Sequence, residues 1–479
     1  MCVSTIHFIT RRPPMLFSSL TFLFVFLPVV MAGYYLLPMK AKNLWLLAAS
    51  LLFYFYGEPK YLVLMLAVIT VSYVFGLLTE KSEGTKRKIL LWISVLLNLS
   101  ALIYFKYTDF FIGAVNSVFG SDFDLLGIAL PIGISFFTFQ SISYNIDVYR
   151  GDTPAQKNPI NLALYVSLFP QLVAGPIVRY SDVERELRTR TLSLDGFAYG
   201  VRRFVTGLGK KVLLANSFGS FCEIFRESDE KSTLFFWIYA VAYSLQVYFD
   251  FSGYSDMAIG LGSMFGFKFP ENFRHPYISK SVTEFWRRWH ISLGSWFRDY
   301  VYIPMGGNRV KTPRFFFNIL TVWFLTGFWH GADWTFIIWG LYFAVLLLVE
   351  KSIPQKVKDK APAVISHIYL IFAVLIGFVI FNANGVDGII SDFKGMFTSA
   401  YPLCTDTTLY YLRSYAVLFV IGIIGATPII RNAAEKLDSG KTGSKICFVA
   451  EPVMILALLF AVTAYLIDGS YNPFLYFRF

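Results

Sequence analysis

Ionisable side chains are scarce in this chain of 479 residues: 15% are Asp, Glu, Lys or Arg and only five are histidine. A soluble domain carries about 25% charged residues. With mean hydropathy at +0.56, the deficit excludes an ordinary soluble protein. Four cysteines, Cys2, Cys222, Cys404 and Cys447, stand far apart without CxxC spacing, so neither a disulfide framework nor a zinc site is expected. His7, His275, His290, His330 and His367 show no i,i+4 pairing, so no bound catalytic metal is expected either. Catalytic-triad spacing, a GxSxG elbow, a Walker loop and a GxGxxG turn are all missing, and ATP coupling has no support. There is no internal repeat, heptad or low-complexity tract. The net charge of +11 comes from basic residues clustered in loops between apolar runs. That pattern fits the positive-inside rule and not a nucleic-acid partner.

What is abundant is apolar sequence. Runs near the length of a bilayer crossing, about 20 residues, recur throughout: Leu16–Leu37, Asn43–Tyr56, Tyr61–Leu78, Ile89–Phe105, Leu125–Ser143, Ile160–Val178, Leu234–Phe251, Phe315–Trp329, Thr335–Val349, Val364–Phe381, Tyr415–Ile430 and Pro452–Ile467. Tyr254–Phe265 is a shorter piece, read as re-entrant. The expectation is an all-α polytopic membrane protein. Loop charge orients it: Lys40/Lys42 and Lys81–Lys88 are basic, and 106–124 is net acidic. The first two are therefore placed on the cytoplasmic side and the third outside. Residues 1–14 (MCVSTIHFITRRPP) differ in character from the rest of the chain, and Met15 opens directly onto an apolar run. They are read as an extension preceding one integral membrane domain, 15–479, with translation beginning at Met15. Gly196–Asn216, with Arg202, Arg203, Lys210 and Lys211 among apolar residues, reads as an interfacial helix on anionic lipid.

Ionisable residues at membrane depth are costly and therefore functional suspects. His330 stands where a chain flanked by the basic loops 309–314 and 351–360 must turn back. The 15 residues from Phe315 to Trp329 span about 22 Å as a helix, less than the roughly 30 Å hydrocarbon core. His330 is thus expected below the far surface, beside Trp329. A buried imidazole reached from outside suits a general base; the alternative is a packing histidine bonded to a carbonyl. Read as one helix, Glu284–Tyr300 puts Trp286, His290, Leu293 and Phe297 on one stripe, and Arg287, Arg288, Ser292, Ser295 and Asp299 on the other face. The arginines suit an interface or an anionic donor; the alternative is an anchor helix with an incidental histidine. In QVYFDFSGYSD, Asp250, Ser252, Tyr254 and Asp256 interrupt an apolar region, and Gly253 is expected to break the helix. These four are candidates for a substrate channel or for an interhelical hydrogen-bond network.

WRRWHISLGSWFRDYVYIPMGGNR, GFWHGADWTF, YFDFSGYSDMAIG, PQLVAGPIVRYSD and the terminal NPFLYFRF together resemble the membrane-bound O-acyltransferase (MBOAT) family, and most closely its alginate O-acetyltransferase-like bacterial branch. The likeness runs over nearly the whole chain from Met15. It implies a ring of about 11–12 transmembrane helices, with re-entrant and interfacial pieces, around a central tunnel. The family's essential histidine in its WHG motif corresponds to His330 and the one in its RWH motif to His290. Asn318, about three turns before His330, is a candidate oxyanion donor.

The resemblance implies an enzyme in the bacterial cytoplasmic membrane, embedded in lipid and without a bound cofactor. It would use acetyl-CoA or another acyl thioester as donor. The acceptor would be a hydroxyl of an extracytoplasmic, alginate-like polysaccharide or of an SGNH-type partner transferase. Peptidoglycan and cellulose are alternative acceptors. A transporter of acetyl groups or lipid-linked sugar is the alternative from another class, although the repeats and paired broken helices common in transporters are not visible.

Overall fold

The computed structural model describes residues 15–173, 175–468 and 474–475. The extension 1–14 and most of NPFLYFRF lie outside the described residues, within which every regular element is a helix. Among the described residues, seven helices are long and apolar enough to cross a membrane: Leu62–Glu80, Gly84–Phe119, Thr233–Met264, Trp334–Ser352, Ala363–Phe381, Asp406–Gly425 and Thr442–Asp468. The protein is an all-helical, multi-pass membrane protein.

Some expected spans are redrawn, each for a local reason. Leu125–Ser143 is not one helix; the regular element is Ile134–Arg150. Pro131 precedes it, and Gly133 caps it in the left-handed region at φ 76°, a conformation that favours glycine. Ile160–Val178 divides into Pro159–Ser167 and Phe169–Leu172: Leu168 leaves the helix at φ −56° and ψ 112°, and Pro170 has no N–H for the Val166 carbonyl and would clash with it in a continuing helix. Conversely, Gly253 does not break its helix, and Tyr254–Phe265 is not a separate re-entrant piece: Thr233–Met264 is continuous. Gly253 serves close packing instead, since a Cβ there would meet the Gly207 carbonyl oxygen at 2.7 Å.

The chain forms two compact units, Met1–Phe204 with Met257–Pro270, and Val205–Asp256 with Glu271–Phe479. In the first, the rings of Phe17, Phe22, Phe26, Phe53 and Phe169 pack at tilted and edge-on angles. Buried Arg190 donates to Tyr34 Oη at 3.1 Å and to Asn43 Oδ1 at 2.7 Å. Lys42, expected as a cytoplasmic loop charge, is buried in the helix Met39–Gly57 and donates to the Tyr34 carbonyl.

The second unit holds the candidate site. Its central feature is a hairpin of the helices Thr312–His330 and Trp334–Ser352. The first runs about 28 Å, longer than its apolar run because Pro313 near its start lets the polar 312–314 turn join the helix. Two glycines allow the helices to touch: a Cβ on Gly327 would lie 2.2 Å from the Phe336 carbonyl oxygen, and one on Gly340 2.4 Å from that of Trp323. Asp333 caps the second helix, its Oδ1 accepting from Thr335 N at 2.8 Å. This tight turn sets His330 at the last position of the first helix.

Candidate active site

The continuous helix expected over Glu284–Tyr300 is not formed. Val282–Arg288 ends at Trp289, His290 is left-handed at φ 44° and ψ 53°, and Ile291–Phe297 then begins anew, passing into a wider π turn over Arg298–Tyr302. A non-glycine residue at positive φ costs backbone energy and persists only where its surroundings impose it. Here they are explicit. Ile291 N donates to the Asn272 carbonyl at 3.0 Å, and Arg274 N to the Arg288 carbonyl at 2.9 Å, so segment 272–274 clamps the break. The single stripe of Trp286, His290, Leu293 and Phe297 therefore does not exist as a helical face, and Ser292, expected to face away, is buried.

The start of Val282–Arg288 is held as well. The buried Glu350 carboxylate accepts from Val282 N at 2.6 Å, Thr283 N at 3.0 Å and Thr283 Oγ1 at 2.8 Å. A carboxylate on the first free N–H groups of a helix is a favourable placement. Glu350 thereby ties the short helix to the end of Trp334–Ser352. Sequence reasoning missed it, although a lone acid at the end of an apolar run was a visible signal.

The bend brings His290 to the same cavity as His330. That cavity, of about 580 Å³, is lined among others by Trp286, Arg287, His290, Arg298, Thr326 and His330. Both imidazoles are buried. His330 sits in an aromatic cage, edge-on to Trp339 at 5.0 Å and Phe381 at 5.3 Å, with Trp329 at 5.0 Å. Trp329 also approaches His290 at 6.1 Å, and Phe251 meets His290 edge-on at 4.6 Å. His290 Nδ1 hydrogen-bonds Asn272 Oδ1 at 3.2 Å. His290 lies outside the spanning helices; burial, and secondarily the nearby His330, holds its pKa well below the ordinary imidazole value. It is therefore neutral at physiological pH. The Trp286 indole N–H is buried with no acceptor among the described residues, in a side chain that forms part of the cavity lining and that sequence reasoning placed only on an apolar stripe.

The remaining sequence candidates fall elsewhere. Asp250 pairs with Lys211 and Asp256 with Lys210, each at 2.6 Å, and Asp250 Oδ2 also accepts from Leu475 N at 2.9 Å. Tyr254 packs edge-on against Phe474 at 4.8 Å, and Ser252 is buried on the same helix. None of these four lines the cavity. The pairing also corrects the expectation that Lys210 and Lys211 face anionic lipid, since Lys211 is buried. Attraction to buried carboxylates outweighs headgroup contact because an unpaired charge in a low-dielectric interior is far more costly. Arg288 pairs with Glu284 at 2.9 Å and donates to the Arg274 carbonyl. Asn318 donates to the Met305 and Gly307 carbonyls, so it holds the 305–307 turn. Arg287, exposed, does line the cavity. No group of three or more His, Cys, Asp or Glu converges among the described residues.

Residues 153–391 match the model of the MBOAT, membrane-bound O-acyltransferase family. A protein named "Probable alginate O-acetylase" from Azotobacter vinelandii is 41% identical, covering 97% of this chain and 100% of its own length. A peptidoglycan O-acetyltransferase from Helicobacter pylori is 36% identical over 82% of each chain. A teichoic acid D-alanyltransferase from Bacillus subtilis is 31% identical over 45% of this chain and 58% of its own.

Proposed function

Because this chain belongs to the membrane-bound O-acyltransferase family, we propose that it moves an acetyl group from a cytoplasmic thioester donor, acetyl-CoA, to a hydroxyl of an extracytoplasmic polysaccharide or of a partner transferase. The membrane would be the bacterial cytoplasmic one. The chain is an O-acyltransferase; the acetyl group, the donor, the side of each substrate and the acceptor are the proposal. One observation carries it: two buried histidines from different elements line one cavity.

In this reading His330 is the general base. It takes the proton of the acceptor O–H as the oxygen attacks the thioester carbonyl and the C–O bond forms. The tetrahedral intermediate collapses with cleavage of the C–S bond. The thiolate leaves and takes the proton back from the imidazolium, giving an ester and a free thiol. General base catalysis of this kind contributes roughly 10²–10⁴-fold. The Trp286 N–H suits the oxyanion that develops on the carbonyl oxygen, and Arg287 suits donor phosphates. Holding both reactants in one cavity supplies much of the remaining rate.

The alginate-like acceptor is favoured by the coverage and identity of the Azotobacter relative, and a peptidoglycan acceptor by the Helicobacter one. Purified protein in nanodiscs with radiolabelled acetyl-CoA tests the reaction. Release of free CoA that depends on acceptor and disappears in His330→Ala is expected. An intact thioester carried across the bilayer would instead indicate a transporter. Ester-linked acetate measured on each envelope polymer, with and without the gene, decides the acceptor.

A further inference from the structure

The contact of His290 with Asn272 has a consequence for which ring nitrogen is left to act. Asn272 is wholly buried. Its Oδ1 receives three groups: Ser292 N at 3.1 Å, Ser292 Oγ at 2.9 Å and His290 Nδ1 at 3.2 Å. Its Nδ2 donates to Ser255 Oγ at 3.1 Å. A backbone N–H can only donate, so the amide atom facing Ser292 N must be the oxygen. An amide oxygen can only accept, so His290 Nδ1 must carry the hydrogen. In the neutral ring the lone pair then belongs to Nε2. That atom is buried and has no hydrogen-bond partner among the described residues, in a side chain that forms part of the cavity wall.

We propose that Asn272 is a positioning residue for the transfer reaction: it fixes His290 as the Nδ1–H tautomer and leaves Nε2 as the ring's acceptor for a substrate O–H or S–H. The same residue governs orientation, because its backbone carbonyl holds Ile291 N beside the left-handed turn at His290. Ser255 anchors the amide from the Thr233–Met264 helix. That helix also sends Phe251 edge-on against the imidazole, so ring and amide are braced from one side. A tautomer error at a catalytic imidazole is costly even when the geometry is intact.

This inference rests on the acyl-transfer reading, and two measurements keep them apart. With only five histidines in the chain, magic-angle-spinning NMR of ¹⁵N-histidine-labelled protein in liposomes can assign His290 by difference from His290→Gln. The expected result is a protonated Nδ1 and an unprotonated Nε2; a protonated Nε2 in the neutral ring overturns the proposal, whatever the protein catalyses. The second measurement is kinetic. Asn272→Ala should lower kcat by roughly 10²-fold with little change in donor KM. Asn272→Asp should recover much of that loss, because a carboxylate still accepts from Nδ1–H. It should also move the acid limb of the pH profile upward by stabilising the imidazolium. Asn272→Ala protein with native thermal stability and native kcat overturns the proposal. Wild-type protein that transfers no acetyl group defeats the functional reading and leaves the tautomer to the NMR result.

Discussion

Lys211 Nζ lies 2.6 Å from Asp250 Oδ1, and the two side chains are 2% and 5% exposed. The Lys211 ammonium also stands 4.6 Å over the Phe474 ring, and Asp250 accepts the Leu475 N–H. The pair thus joins the 210–215 π turn, the Thr233–Met264 helix and the C-terminal segment.

Removing one member of that pair strands the other charge in the core. Lys211→Met or Asp250→Asn should each destabilise the fold by about 3–5 kcal/mol, read as a large drop in thermal midpoint in detergent. The double variant should recover part of the loss. If the single variants melt as the native protein does, the pair does not hold these elements.

At the site, His330→Ala should lower kcat by roughly 10²–10⁴-fold without changing the thermal midpoint much, since the aromatic cage of Trp329, Trp339 and Phe381 remains. Trp286→Phe keeps most of the ring and removes the N–H. Loss of one oxyanion donor costs about 10²–10³-fold in kcat. Native kcat in Trp286→Phe would remove the indole from the mechanism.

Arg287 is expected to act on the donor's phosphates alone. Arg287→Ala should raise the KM for acetyl-CoA about tenfold, the equivalent of one charged hydrogen bond, with kcat preserved. Acetyl-pantetheine, which lacks those phosphates, should show no difference between the two proteins. An equal KM increase for both donors would rule out phosphate recognition.

The burial of His290 makes a pH prediction. Its folded pKa is held well below the ordinary value, first by burial and then by His330. The unfolded chain therefore binds this proton first as pH falls. Stability is full above about 6.5, the unfolded value, and declines as pH drops from there toward the folded pKa. Thermal midpoints measured downward from neutral pH should fall, and His290→Gln should flatten that part of the profile. An unchanged slope in His290→Gln would assign the loss to other groups.

The Gly327–Gly340 contact sets how close His330 comes to the opposite helix. Gly327→Ala places a methyl against the Phe336 carbonyl oxygen, where the clearance is 2.2 Å, so the helices must part. A loss of about 1–3 kcal/mol together with reduced kcat is expected. A variant stable and active as the native protein would show that the hairpin has slack.

Much of this molecule is legible in the sequence alone. Apolar runs without competing breakers, such as 61–78 and 364–381, match the helices Leu62–Glu80 and Ala363–Phe381 to within two residues, because in lipid a backbone must satisfy its own hydrogen bonds. The motifs around His290 and His330 were enough to identify the family. Tertiary structure decided the rest. A helical wheel cannot foresee the left-handed break at His290, because long-range bonds from Asn272 and Arg274 impose it against local preference. Nor can loop-charge counting tell that Lys42 and Lys211 are buried, since an ammonium on a long stem goes wherever a carboxylate or carbonyl lies within reach. The meeting of the two histidines, 40 positions apart in the chain, depends on a glycine-permitted hairpin and a clamped turn. Neither is a periodic feature, so only the folded chain brings them to one cavity.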